Sequence, residues 1–164
     1  MLFLDVLMLI IACLFLIGAM DDLVIDLAYL FGRLGVFRPT KEHWAYWKTL
    51  PERPLAIMIP AWQESSVLEA MVLTNLKRIE YQNYRWYLGV YPNDPETVNI
   101  AKDLEKRFPE KITVVVTDRP GPTSKAHCLN CVIDVIQTSI DVARVEGKGW
   151  IPELLAIHDA EDVI

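Results

Sequence analysis

Three carboxylates, Asp159, Glu161 and Asp162, crowd into the short run His158-Asp159-Ala160-Glu161-Asp162. Hard oxygen ligands spaced this closely suit Mg²⁺ or Mn²⁺, and such an ion can neutralise charge on a departing diphosphate. The competing reading is an acidic turn facing water. Glu64, Asn93 and Asp94 come next, because their oxygens can accept hydrogen bonds from base N–H groups and ribose hydroxyls. Asn and Asp also form turns and cap helices, so that role stands beside the binding one. Lys125 follows Gly121-Pro122-Thr123-Ser124 at an expected helix start, where its cation and the free backbone N–H groups can meet a phosphate.

Other chemistry finds less support. Cys128 and Cys131 resemble half of a metal site, but no second pair exists. On a helix both are expected to pack against a sheet. Cys13 lies in an apolar leader. His43, His127 and His158 have no identifiable Ser or Cys nucleophile arrangement, which argues against a triad hydrolase. No glycine-rich dinucleotide fingerprint or Walker-type loop is present. A net charge of -6 without a basic stripe argues against a nucleic-acid partner.

The elements that must position these residues begin after Pro51 and Pro54. Leu55 to Ile59 is a short apolar run without alternation, as an interior parallel strand requires. Ser65 or Ser66 is expected to cap the following helix, whose apolar residues Val67, Leu68, Met71, Val72 and Leu76 recur at helical spacing. Further strands are expected at Tyr84 to Tyr91, Ile112 to Val116 and Leu154 to Ile157. Helices are expected from Glu96 to Phe108 and from Ser124 to about Val142. Strands alternating with helices predict an α/β fold with a mainly parallel sheet covered on both faces. Ligands collect beyond the carboxyl ends of such strands. Glu64, Asn93-Asp94 and the His158 to Asp162 run all leave strand ends.

From Leu2 to Met20 every residue is apolar or glycine except Asp5. That run is roughly 28 Å long as a helix, enough to cross a hydrocarbon core of about 30 Å. It has no basic start and no short apolar core, so an uncleaved anchor is favoured over a signal peptide or a buried core helix. Arg33, Arg38 and Lys41 follow it, which places the rest of the chain in the cytoplasm by the basic-residue bias. Residues 23–37 either lie along the interface or continue the first helix. Trp44, Tyr46 and Trp47 suit the headgroup zone, or else pack on the soluble part.

Four segments taken in order resemble glycosyltransferase family two. They are Ile57-Met58-Ile59-Pro60-Ala61-Trp62-Gln63-Glu64, Tyr91-Pro92-Asn93-Asp94, Gly121 through Asn130, and His158 through Asp162. The resemblance implies the donor-binding half of a GT-A (Rossmann-like) fold, truncated, and inverting transfer from a nucleotide diphosphate sugar. It implies nucleoside contacts at Glu64 and at Asn93-Asp94, and matches Lys125 and Asn130 to the family's conserved lysine and asparagine. Asp159 and Glu161 match the ends of the Asp-x-Asp metal motif, with Asp162 an added acid and Mg²⁺ or Mn²⁺ the implied cofactor. Asn93 for an acid and Glu161 for an aspartate are departures from the pattern.

The expected division is a transmembrane helix over 1–22, a juxtamembrane segment over 23–53 and a partial donor-binding domain over 54–164. The sequence stops just after the acidic run. A later catalytic carboxylate is therefore expected to be missing, and the fragment alone is expected to be inactive. The expected function is that of an amino-terminal fragment of a membrane-bound glycosyltransferase. The alternative is a non-catalytic nucleotide-binding component of a bacteriophage adsorption or polysaccharide export system. Expected partners are a nucleotide diphosphate sugar, membrane lipid, and outer-membrane or export proteins. The expected location is the bacterial inner membrane.

Overall fold

A computed structural model describes residues 2–33 and 39–160. The chain divides into two compact units, Met1–Leu50 and Pro51–Ile164.

In the first unit, α1 (Leu2–Arg33) is one continuous helix of 32 residues. It therefore continues into the second apolar stretch as far as Arg33 instead of stopping near Met20. At about 1.5 Å per residue it is roughly 48 Å long, more than a hydrocarbon core of about 30 Å needs. Phe3–Gly32 is long and apolar enough to cross a membrane, and none of that window is buried in protein. Arg38, part of the orientation argument, lies outside the described residues. The helix α2 (Lys41–Trp47) starts at a capping box. Thr40 Oγ1 accepts from the His43 N–H at 3.3 Å, and His43 Nδ1 accepts from the Thr40 N–H at 3.4 Å. Trp44, Tyr46 and Trp47 are exposed, and the Trp44 and Trp47 rings meet edge to face at 5.2 Å.

The second unit alternates strand and helix: β1 (Leu55–Pro60), α3 (Leu68–Arg78), β2 (Tyr84–Val90), α4 (Pro95–Arg107), β3 (Ile112–Val116), α5 (Lys125–Glu146) and β4 (Leu154–Ile157). All strands are parallel, in the order β3-β2-β1-β4. Leu55 pairs with Tyr84 on one side and with Leu154 on the other, so β1 is interior, as its unbroken apolar run requires. Ile57 and Ile59 join Leu88, Leu68, Val72 and Leu104 in one core. Ala56 and Met58 join Tyr87, Val115, Val132 and Ile136 in the other. Each fully buried large apolar side chain contributes about 1.5–3 kcal/mol. Exposed ion pairs such as Arg53–Glu153 contribute about 0–1 kcal/mol each, so the two cores hold the sheet.

Close helix–sheet approach depends on Gly89. A Cβ there would lie 2.5 Å from Cys128 Sγ and 3.1 Å from Val132 Cγ2, so a side chain would push α5 off the sheet. One helix start differs from expectation. Neither Ser65 nor Ser66 caps α3, whose N-cap is Val67 without a side-chain bond. The Glu64 carbonyl accepts from the Val67 and Leu68 N–H groups instead, and Ser65 Oγ donates to Glu96 Oε2 at 3.3 Å. At the sheet edge, β4 leaves Leu155 and Ile157 more than half exposed.

Candidate functional site

The strand ends are level. Ala61 N donates to Gly89 O, Thr117 N to Val90 O, and His158 N to Met58 O, each at 2.8–3.0 Å. Beyond them opens a cavity of about 380 Å³ whose lining includes Trp62, Glu64, Tyr91, Thr123, Lys125 and Asp159. This is where the chain turns away from β1 and β4 and enters α5, the usual ligand position in a parallel sheet. Trp62 meets Tyr91 edge to face at 5.0 Å, and its ring lies so close to Gly121 that a Cβ there would sit 2.5 Å away. The Tyr91 hydroxyl shares a 3.0 Å hydrogen bond with Thr123 Oγ1, and burial pushes its phenol above the ordinary range.

Glu64, Lys125 and Asp159 share this cavity. The Lys125 ammonium pairs with the Asp159 carboxylate, and both side chains are half-exposed. Lys125 is the first residue of α5, with Ser124 as N-cap accepting from the His127 N–H at 3.2 Å. The Glu64 carboxylate is half-buried and has no hydrogen-bond or ionic partner among the described residues. Asp94 and Asn93 line a neighbouring depression and are engaged internally. Asp94 is buried; it accepts from the Gln63 N–H at 2.7 Å and caps α4 by accepting from the Thr97 N–H at 3.3 Å. Gln63 has a left-handed φ of 58°, so Asp94 pins a turn that costs a non-glycine residue energy. Asn93 exchanges two hydrogen bonds with the Gly121 backbone, at 2.6 and 2.7 Å. Asn130 is exposed on α5 and lines none of these depressions. Glu161 and Asp162 lie outside the described residues.

Trp62, Tyr91 and Thr123 carry no individual signal in the sequence, and their roles come from contacts across the strand ends. The two α5 cysteines, alike in sequence, differ in the structure. Cys128 is fully buried, and burial pushes its thiol up to about 11. Cys131 is only partly buried. Its Sγ lies 3.6 Å from Asp118 Oδ1 and 3.9 Å from His127 Nε2, while His127 Nε2 lies 2.9 Å from Asp118 Oδ1. His127 thus has a cysteine beside it on α5. The His127–Cys131 spacing of one helical turn was a visible signal. These three groups are close enough to chelate one metal ion.

Comparison with known proteins agrees with the architecture. The family described as "Glycosyltransferase like family 2" matches residues 51–164, which is the whole second unit. Two curated relatives are similar over nearly the whole chain. Bacteriophage adsorption protein B of Escherichia coli (strain K12) is 40% identical over 159 residues, covering 93% of this chain and 20% of the relative. Bacteriophage N4 adsorption protein B of Escherichia coli O157:H7 gives the same figures. The chain therefore spans about a fifth of the length of the curated relatives it matches. With a parallel sheet whose strand ends carry three of the four resembling segments, the other leading into α5, and a family match across that entire unit, this chain belongs to glycosyltransferase-like family 2.

Proposed function

We propose that this chain is the nucleotide-diphosphate-binding part of a membrane component of the bacteriophage-adsorption kind, anchored in the bacterial inner membrane with its second unit in the cytoplasm. The carrying observation is the cavity at the strand ends that holds Glu64, Lys125 and Asp159 together. Lys125 stands at the amino end of α5, so its cation and the first backbone N–H groups of the helix can share a diphosphate. Glu64 has free acceptor oxygens for ribose hydroxyls, and the Trp62–Tyr91 pair offers an aromatic wall for a base. Asn93 and Asp94 shape the turn beside the nucleoside. Residues 1–22, 23–53 and 54–164 serve as anchor, juxtamembrane segment and donor-binding domain.

The acidic run fits a hard divalent cation. Asp159 offers carboxylate oxygens at the cavity, and the Lys125 ammonium already stands against them as a substitute cation. Asp159, Glu161 and Asp162 would hold Mg²⁺ or Mn²⁺, which neutralises diphosphate charge when bound. The Asp-Ala-Glu-Asp run is not a strict Asp-x-Asp motif.

The test is calorimetric titration of the chain in detergent with UDP and Mn²⁺. Saturable but weak binding is expected, with Kd on the order of 1 mM, because few groups hold the ligand. Lys125→Ala should weaken it about tenfold, a loss of one charged contact worth about 1.4 kcal/mol. Equal affinity in Lys125→Ala and the unaltered chain would sink the assignment. Sugar transfer by a longer protein containing these residues is the second reading, favoured by the family match. Asp159→Ala in that longer protein separates the two. Phage adsorption survives if the nucleotide site is non-catalytic and disappears if transfer makes the receptor.

A further inference from the structure

We infer that Asp118, His127 and Cys131 form a second metal site, for a thiolate-accepting transition-metal ion of the zinc class. The ligands come from two elements. Asp118 lies in the loop after β3, while His127 and Cys131 are one turn apart on α5, and so present side chains on the same face. A tetrahedral ion with bonds of about 2.3 Å to sulfur and about 2.0–2.2 Å to nitrogen and oxygen has ligand–ligand edges of roughly 3.3–3.6 Å. The observed triangle has sides of 2.9, 3.6 and 3.9 Å. The 3.6 Å side already fits, and the other two need changes of roughly 0.3–0.6 Å, within reach of side-chain rotation.

The arrangement is that of a chelate and not of a catalytic relay. A nucleophile–base–acid relay uses the two imidazole nitrogens separately, one toward the thiol and one toward the carboxylate. Here Cys131 Sγ and Asp118 Oδ1 both approach Nε2, so three donors converge on one point. The surroundings hold them there. Arg119 pairs with the other carboxylate oxygen of Asp118 at 3.6 Å, Ser124 caps α5 at the His127 N–H, and Cys131 packs partly against the core under α5. Such outer contacts orient ligands and raise affinity.

Ligand softness decides the metal. Thiolate and imidazole select zinc-class ions, whereas Mg²⁺ and Mn²⁺ prefer all-oxygen sites such as the acidic run at Asp159. Three protein ligands leave a fourth position open, and the half-exposed surroundings admit water to it. A metal held there clips the start of α5 to the loop after β3, the segment that also carries Thr123 and Lys125. The site stands independently of the nucleotide reading.

The test uses the full chain in detergent, titrated anaerobically with Co²⁺ and then with Zn²⁺ as competitor. A thiolate-to-cobalt charge-transfer band is expected, displaced by Zn²⁺ at equal stoichiometry. Cys131→Ser should abolish the band, and His127→Ala should weaken Zn²⁺ at least tenfold, with unchanged far-ultraviolet circular dichroism. Cys13→Ser should leave both unaltered. X-ray absorption of the zinc-loaded chain should show one sulfur among nitrogen and oxygen neighbours, and it serves if Cys131→Ser fails to fold. No charge-transfer band, a band that survives Cys131→Ser, or a zinc shell without sulfur each overturns the site.

Discussion

Asp94 accepts hydrogen bonds on both carboxylate oxygens, one from the Gln63 N–H and one from the Thr97 N–H. The same side chain therefore holds the left-handed turn after β1 and the first turn of α4. Removing it should cost about 0.5–2 kcal/mol for the lost cap and about 1–3 kcal/mol for the orphaned Gln63 N–H. Asp94→Ala is thus expected to lower unfolding free energy by roughly 1.5–5 kcal/mol, and Asp94→Asn by less, since an amide oxygen still caps. Urea denaturation followed by tryptophan fluorescence checks this. A loss below about 0.5 kcal/mol, with only nucleotide affinity affected, would show that these bonds carry little stability. Helix capping was visible beforehand, because Asp94 directly precedes Pro95 and Pro favours the first helical turn. The bond to Gln63 was not, since it joins residues 31 positions apart.

At the scale of elements, the four strands were readable because interior parallel strands are uniformly apolar over a few residues. The residue ranges of β3 and β4 coincide with the expected runs, and β1 and β2 differ by one residue at their ends. Strand order was not readable, because crossover connections of similar length permit several neighbours for β1. The observed order leaves β4 at an edge, with Leu155 54% and Ile157 58% exposed, and such an edge templates pairing with another chain. Ile157→Lys should therefore reduce self-association of the chain in detergent while shifting Tm by no more than about 2 °C. Sedimentation velocity at two concentrations is the measurement. Unchanged association, or a large fall in Tm, would mean that Ile157 is not an exposed edge residue.

For the whole molecule, two units of different solvent preference share one chain. The first presents a helix with exposed Leu, Ile, Phe and Met along its length, and the second buries its apolar residues in two cores around a sheet. The apolar surface of α1 is consistent with membrane association, because water solvates such a surface poorly. In bacterial vesicles the chain is expected to resist alkaline carbonate extraction. Protease should digest residues 51–164 in inverted vesicles and spare them in right-side-out ones. Release by carbonate would remove the anchor, and the opposite protease pattern would reverse the orientation.

The membrane-crossing length of α1 and the α/β class of the second unit were decided by the sequence alone. Each rests on composition and periodicity over neighbouring residues, which no distant contact has to supply. The clustering of Glu64, Lys125 and Asp159 was half legible, because strand exits bring their residues to one end of a parallel sheet whatever the order. The pairing of Lys125 with Asp159, the Trp62–Tyr91 wall and the convergence of Asp118 on His127 and Cys131 were decided by tertiary structure. Those contacts join residues 9 to 34 positions apart in the chain. They exist only because strand order, the Gly89 gap under Cys128 and the cap at Ser124 fix where α5 begins and which face it turns to the sheet.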